Sequence, residues 1–455
     1  MRSNRAAPAR SSSRSAEAST PDAGAAIGAA PSRIAALVVA VLAIGASARG
    51  LFNDFVYDDI PLIRDNSWVH GLSHAREIFG HAYWPPPFVE QLYRPLTLLL
   101  LGAEYAIGGG SPLVFRVVSY ALYAAEAALV YRLATRVLGP WPALATAALF
   151  AVHPVHVEAV ALGVNQAELI VGFVAVAMTT SYIDRRRAGD IATRDWMLLA
   201  ALYGAATLVK ESAFILPLFL IAAELTVLRG ARTASRSRVA AQGFVALGAV
   251  AVASIALRWA MAGARAFVIV PAVDLRGLGL GGRMLLMLHV VPMWVRLFVW
   301  PQHLRVDFAP GEIAAGGAIE AAFGVVILCA LAGAIAFGLR RAPVLAFGPI
   351  WLVVALLPVA NIVPAGIVLA ERTLLLPSIG FVLAVGAIGE RLLADQRLPQ
   401  RPTRLALGLG CALLVVLGLL RSAGRHAVWN TEHLEVRPQA SVGPRALSPG
   451  GPDSR

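Results

Sequence analysis

Long apolar runs alternate with short polar connections along most of this chain. Eleven runs, at about 32–50, 112–131, 139–157, 165–183, 195–209, 211–228, 239–260, 318–339, 344–360, 374–390 and 405–421, approach the length a helix needs to cross a bilayer, roughly 20 residues, although 195–209 is short. Two further apolar pieces, 96–107 and 284–300, do not fit the alternation of sides. The first is too short to cross, and the second would put Arg340 and Arg341 on the wrong side, so both are expected to lie on the outer face as interfacial or re-entrant helices. The pattern predicts an all-α polytopic membrane protein with about eleven transmembrane helices, a large first outer loop at about 51–111 and a second at about 261–317.

Composition agrees with lipid as the solvent. Of 455 residues 58% are hydrophobic and 15% charged, and the mean hydropathy is +0.69, more apolar surface than a soluble chain of this length can hide. The net charge of +12 does not indicate a nucleic-acid partner, because the cations are arginines strung between apolar runs rather than gathered on one basic domain. With the N-terminus inside, sixteen arginines fall in the short inner connections. Among them are Arg132, Arg136, Arg185, Arg186, Arg187, Arg340, Arg341 and Arg391. The short outer connections hold only Lys210 and Arg372 as cations, so the positive-inside rule selects this orientation. Residues 1–31 read as a disordered basic cytoplasmic arm, 32–424 as the transmembrane domain and 425–455 as a short disordered outer tail. The run after the long polar arm is a poor cleaved signal peptide. Cys329 and Cys411 both sit in apolar runs, so no disulfide framework is present.

That orientation gathers the unusual polar residues on the outer face. Asp58 and Asp59 of "FVYDDIPLI" and Arg94 of "LYRPLT" fall in the first outer loop. His153, His156 and Glu158 of "HPVHVEAV" lie where the third run emerges, and Glu168 begins the next. Lys210 and Glu211 of "LVKESAF" make an outer turn, followed by "WPQHLRVDF", Asn361, and Glu371 and Arg372 of "AERT". Each motif also has a plain reading. The paired acids could open a solvated loop, although carboxylates among Phe, Tyr and Ile need a partner or a task. His153, His156 and Glu158 could hold a divalent cation, but His-x-x-His is a weak pattern and interfacial histidines are common. Lys210 stands out as the sole lysine of 39 basic residues, yet a structural pair with Glu211 would explain it. Glu371 and Arg372 could be an ion pair bracing two helices. Their common face points to one extracytoplasmic site at the membrane surface.

Taken in order, "YDD", "YRPLT", "LFAVHPVHVEAVA", "LVKESAFILPL", "VWPQHLRVDF" and "LLPVANIVPAGIVLAERTLLLPSIGF" resemble the transmembrane O-mannosyltransferase family that carries tetratricopeptide repeats, a member of the GT-C class of membrane glycosyltransferases. The resemblance runs from about 52 to 429, and "HPVHVE" and "AERTLLLPSIGF" are its specific parts. It implies a GT-C-like fold and transfer of a sugar, mannose by the family name, from a polyprenyl-phosphate donor to an acceptor hydroxyl of protein or glycan. By analogy the acid of the first loop supplies the catalytic carboxylate, here Asp58 or Asp59. Two departures stand out. The third segment, "FRVVSYALYAAEAAL", lacks the family's histidines, and no 34-residue helical repeat follows "RHAVWNTEHL".

The residues support a mechanism of that kind. A carboxylate can act as base toward an acceptor hydroxyl when the transition state is oxocarbenium-like. Two adjacent acids cannot both face one point, so Asp58 is expected as base and Asp59 as the residue that binds acceptor or orients the loop, with the reverse also open. Arg94, Lys210 and Arg372 are the outer cations placed to meet the departing lipid phosphate. His153, His156, Glu158, Glu168, Glu211, Asn361 and Glu371 are expected to support the site or bind acceptor. The prenyl tail would lie in membrane lipid between spans. The competing classes are a transporter or flippase, which would place its charges near the midplane around broken helices, and a non-catalytic membrane scaffold. The Ala-, Arg- and Gly-heavy composition is that of a GC-rich bacterial genome, so an inner membrane with a periplasmic site is expected.

Overall fold

The computed structural model describes residues 32–430 apart from positions 90, 190, 232–233, 269, 306–307, 309–312 and 314–315, and apart from the side chains of 231–239. The expected arm at 1–31 and the tail beyond 430 therefore lie outside the described residues. Within them the secondary structure is helical: α1 (Arg33–Ser47), α2 (Ala75–Gly80), α3 (Pro95–Gly108), α4 (Pro112–Ala134), α5 (Pro140–Ala151), α6 (Val157–Ala161), α7 (Gln166–Ala188), α8 (Thr193–Val209), α9 (Leu216–Leu225), α10 (Ala234–Ala262), α11 (Leu280–Val299), α12 (Ala318–Arg341), α13 (Phe347–Leu356), α14 (Leu375–Ala394) and α15 (Gln400–His426).

Local chemistry sets many of these boundaries. The Ser32 hydroxyl accepts from the Ala35 amide and opens α1. Proline, whose missing N–H costs nothing in a first turn, starts α3, α4 and α5. Gly109, at φ +59°, closes α3 in the left-handed region. Between α5 and α6 the chain bends by 44° at His153-Pro154. There the Tyr123 hydroxyl lies 3.0 Å from the carbonyls of Phe150 and Ala151 and 2.8 Å from His156 Nδ1. A polar side chain thus meets backbone groups that have no water to turn to in a lipid environment.

The centre of the bundle is α4, α5, α7, α13 and α14, whose buried faces form the largest apolar core. Helices α13 and α14 approach backbone to backbone. A Cβ on Gly348 would meet Ala384 N at 2.7 Å and the Gly380 carbonyl at 2.8 Å, so only glycine permits that spacing. The outer helices turn large apolar residues away from the protein: Phe323 and Val326 of α12, and Leu405, Leu409 and Leu413 of α15, are all exposed. Eight described helices are long and apolar enough to cross a membrane, nine with the bent pair α5 and α6. The chain is an integral membrane protein.

Among the described residues, eight of the eleven expected runs reach spanning length, counting the bent pair as one, and one unexpected run joins them. Residues 195–209 and 211–228 become the 17-residue α8 and the 10-residue α9, joined by a 3-10 turn at Glu211–Ile215. The run at 344–360 is likewise short. Conversely α11, expected on the outer surface, is long and apolar enough to cross. Its polar contacts reach three connections: Met287 meets Asn361, His289 the Gly317 carbonyl, and the Phe298 carbonyl meets His153.

The two ends of the bundle are internally consistent. At the arginine end, Arg132 and Arg136 bind Asp184, Arg187 donates to the Arg136 carbonyl, Arg229 to that of Leu339, and Glu390 accepts from the Gly139 amide. At the other end, α1 and α4 are joined through a 3-10 turn, a π-helical turn at Ile60–Arg64, a second 3-10 turn, α2 and α3.

Candidate active site

The π-helical turn determines what the two adjacent acids do. Asp59 is its N-cap and is fully buried. Its carboxylate accepts from the Gly163 amide at 3.0 Å, the Val164 amide at 3.0 Å and Arg116 Nη1 at 3.2 Å, while Arg116 Nη2 reaches the Asp54 carbonyl at 2.8 Å. Burial pushes this carboxyl up, and Arg116 and the two amides pull it back. Asp59 therefore anchors the loop to the start of α4 and to the turn before α7. Asp58 points elsewhere. Its side chain is 24% exposed, and among the described residues its carboxylate accepts no hydrogen bond and faces Arg372 at 3.9 Å. Burial raises it to about 6, partly offset by Arg372 and raised further by Glu158 and Asp59.

Around Asp58 stand cations held by carboxylates. Arg372, at the turn before α14, is gripped by Glu158 of α6: one oxygen accepts from the Arg372 amide at 2.8 Å and the other binds Nη1. Lys210, which caps α8, binds Glu168 of α7. Burial pushes its ammonium down while Glu168 pulls it up. Arg94, before α3, binds Glu211 at 2.8 Å and lies 4.8 Å from the centroid of the Tyr83 ring. These groups share one region. Asp58 feels the charges of Arg372 and Arg94, and Lys210 those of Glu168, Arg94 and Arg372.

Several pairings differ from those the sequence left open. Lys210 pairs with Glu168 rather than with its neighbour Glu211, because the 3-10 turn sends adjacent side chains apart. Glu371 does not pair with Arg372; it accepts from the Arg305 amide and lies 3.7 Å from Arg425. His153, His156 and Glu158 do not converge on a cation. His153 Nε2 is 2.9 Å from the Phe298 carbonyl, His156 lies between Tyr123 and Ser378 Oγ at 2.8 Å each, and Glu158 is committed to Arg372. Among the described residues no group of three or more His, Cys, Asp or Glu is placed to hold a metal. Asn361, buried at φ +53°, closes its own loop by accepting from the Ala365 amide.

The structure also adds residues that sequence reasoning passed over. Arg116 and Arg258 each interrupt an apolar run, and an isolated arginine inside such a run is itself a signal. Tyr83 carries no comparable signal; only the fold brings its ring beneath Arg94.

Comparison with known proteins bears on this arrangement. Residues 93–259 match the dolichyl-phosphate-mannose-protein mannosyltransferase family, a stretch that includes Arg94, Glu158, Glu168, Lys210 and Glu211. Protein O-mannosyl-transferase Tmtc2 of Drosophila melanogaster is 36% identical over 188 residues, 39% of this chain and 20% of that protein. A protein O-mannosyl-transferase of Caenorhabditis elegans is 25% identical over 397 residues, 84% of this chain and 54% of that one. The chain thus spans about half or less of the curated relatives it matches. The oligosaccharyltransferase AglB of Archaeoglobus fulgidus, solved with an inhibitory peptide and a dolichol-phosphate, has a TM-score of 0.48 at 15% identity, covering 87% of this chain and 55% of that one. By sequence, then, the chain is similar to the transmembrane protein O-mannosyltransferases, over 93–259 by family and over most of its length by the Caenorhabditis elegans protein.

Proposed function

We propose that this protein is a membrane glycosyltransferase of the GT-C class that moves a sugar, mannose by its relatives' names, from a polyprenyl-phosphate donor to an acceptor hydroxyl, of protein Ser or Thr. Asp58 is the base that takes the acceptor proton as the hydroxyl oxygen attacks the anomeric carbon. The bond from that carbon to the phosphate oxygen breaks, and the lipid phosphate leaves with the electron pair. Arg94, Lys210 and Arg372 meet the charge that develops on it. Each is already held by a carboxylate, so little reorganisation is needed when the phosphate arrives. Glu158, Glu168 and Glu211 position these cations, Asp59 fixes the loop that presents Asp58, and Tyr83 supports Arg94. The site faces away from the arginine-rich end, hence toward the periplasm of a bacterial inner membrane.

One observation carries the reading: a carboxylate that accepts no hydrogen bond among the described residues, with an ordinary value lifted to about 6, lies near Arg372 and Arg94, each held by its own carboxylate partner. Its neighbour Asp59, by contrast, is bonded to two amides and a guanidinium. The test supplies radiolabelled polyprenyl-phosphate mannose to membranes holding wild type, Asp58→Asn or Asp59→Asn at matched protein levels. Label reaching an acceptor in wild type but not in Asp58→Asn supports the reading. Equal transfer in Asp58→Asn would remove the base assigned here.

A further inference from the structure

A buried guanidinium beside the site shares Glu211 with Arg94. Arg258 lies in the last turns of α10, is 2% exposed, and donates in three directions: to the Tyr93 carbonyl at 2.6 Å, to the Thr207 carbonyl, and to Glu211 at 3.3 Å. We propose that Arg258 is a positioning residue for the donor phosphate, setting Arg94 and Lys210 through the three segments it ties together. The inference rests on the glycosyl-transfer reading above.

Each of the three partners is one step from a cation of the site. Tyr93 precedes Arg94 in the chain, and its carbonyl fixes the backbone from which Arg94 departs. Thr207 lies in the last turn of α8, which Lys210 caps. Glu211 is the carboxylate that Arg94 grips at 2.8 Å. Glu211 is thereby shared between two guanidiniums, which leaves Arg94 only half neutralised and still able to meet an anion. Without Arg258, Glu211 would belong to Arg94 alone, drawing it back and cancelling more of its charge.

Anchoring α10 does not need this arrangement. The helix packs mainly on α8 and turns Val245, Val252, Ile255 and Trp259 outward, and a buried cation is a poor device for stability compared with apolar side chains of similar size. Ser254, one turn earlier, already ties α10 to α8 through its hydroxyl, 2.9 Å from that of Thr207. The guanidinium supplies something the serine cannot: simultaneous reach to two carbonyls and a carboxylate.

The experiment compares the full chain with Arg258→Gln, Arg258→Lys and Ser254→Ala, measuring kcat and KM for the polyprenyl-phosphate sugar and the Kd for undecaprenyl phosphate alone. The expected result is a roughly tenfold rise in donor KM and in Kd for Arg258→Gln, with kcat within about twofold, since tenfold corresponds to one disturbed charge contact. Arg258→Lys should recover part of the loss, and Ser254→Ala should match wild type. Should Arg258→Gln fail to insert, Arg258→Lys against Ser254→Ala carries the same comparison. Unchanged KM and Kd in the Arg258 variants, or equal losses in Ser254→Ala, would show that Arg258 only docks the helix. A wild type that binds undecaprenyl phosphate but transfers nothing would defeat the transferase reading while the Kd comparison still decides Arg258. A wild type that does neither would overturn both.

Discussion

Both ends of this bundle hold arginine–carboxylate pairs, yet the pairs are built for different purposes. At the arginine end they are closed. Arg186 of α7 binds Glu224 of α9 at 2.6 Å, Tyr182 donates to the same carboxylate at 2.8 Å, and Asp184 collects Arg132 and Arg136. These contacts stitch helix to helix. At the opposite end the cations are held by Glu158, Glu168 and Glu211, but around Asp58, which accepts no hydrogen bond among the described residues. The same chemistry braces one end and, in the proposed reading, preorganises the other. The difference lies in the carboxylates: those of the arginine-end pairs are all bonded, whereas Asp58 accepts no hydrogen bond among the described residues.

The comparison breaks first at Asp58. Asp58→Asn keeps the shape and removes the base, so transfer at saturating donor should fall about 10²–10⁴-fold, with insertion and thermal unfolding in detergent unchanged. A loss of stability that tracks the loss of activity would place Asp58 among the bracing groups instead. Next in size are the closed pairs. Glu224→Gln strands the buried Arg186, and Asp59→Asn strands the buried Arg116, so each should destabilise by about 3 kcal/mol in reversible unfolding. The two should then part company. Glu224→Gln should leave transfer per folded molecule intact, whereas Asp59→Asn should reduce it, because the turn that presents Asp58 hangs from Asp59.

Much of this division was legible in the sequence. The count of arginines in the short connections separated the two ends, and the motifs of the other end fell together without structural help. Asp58 was expected as base and Asp59 as the orienting acid, but the reverse stayed open, because the π-helical turn that aims one at Arg116 and the other at Arg372 leaves no mark in "YDDIPLI". The ion-pair partners were hidden for a related reason. Lys210–Glu211 and Glu371–Arg372 are adjacent in sequence, but adjacent side chains on a 3-10 turn diverge, and the true partners Glu168 and Glu158 come from other helices. The expected spans at α8, α9 and α13 come out short and α11 comes out long enough to cross, since an apolar run does not report where a helix within it stops.

Acidity gives a milder probe of the same contrast. Burial holds Asp58 at about 6 against an ordinary 3.8, so below pH 6 the base is lost and kcat/KM should fall about tenfold per pH unit. Folding responds with the opposite sign. A carboxyl whose value is raised in the folded state binds its proton more tightly there, so as pH falls from 6 toward 4 this group adds stability rather than removing it. Because Arg372 lowers the Asp58 value, Arg372→Gln should move the acidic limb of the rate profile to higher pH. A limb that stays fixed in Arg372→Gln, and in Asp58→Glu, would assign the titration to another group.

The smallest effect expected lies at the bend between α5 and α6, where bracing and site adjoin. Tyr123→Phe keeps the ring packed against Phe150 and His156 but removes the hydroxyl that meets two carbonyls and His156 Nδ1. Losing that hydroxyl in a buried setting should cost about 1–3 kcal/mol of stability. Its consequence for transfer tests where the boundary between the two ends falls. His156 sits two residues before Glu158, which holds Arg372, and its other nitrogen meets Ser378 in the first turn of α14, six residues after Arg372. If the bend only joins two helix halves, transfer per folded molecule and donor KM should both match wild type. If instead the histidine transmits the geometry of the bend to Glu158 and Arg372, donor KM should rise while kcat holds, and the preorganised end would begin at Tyr123 rather than at Glu158.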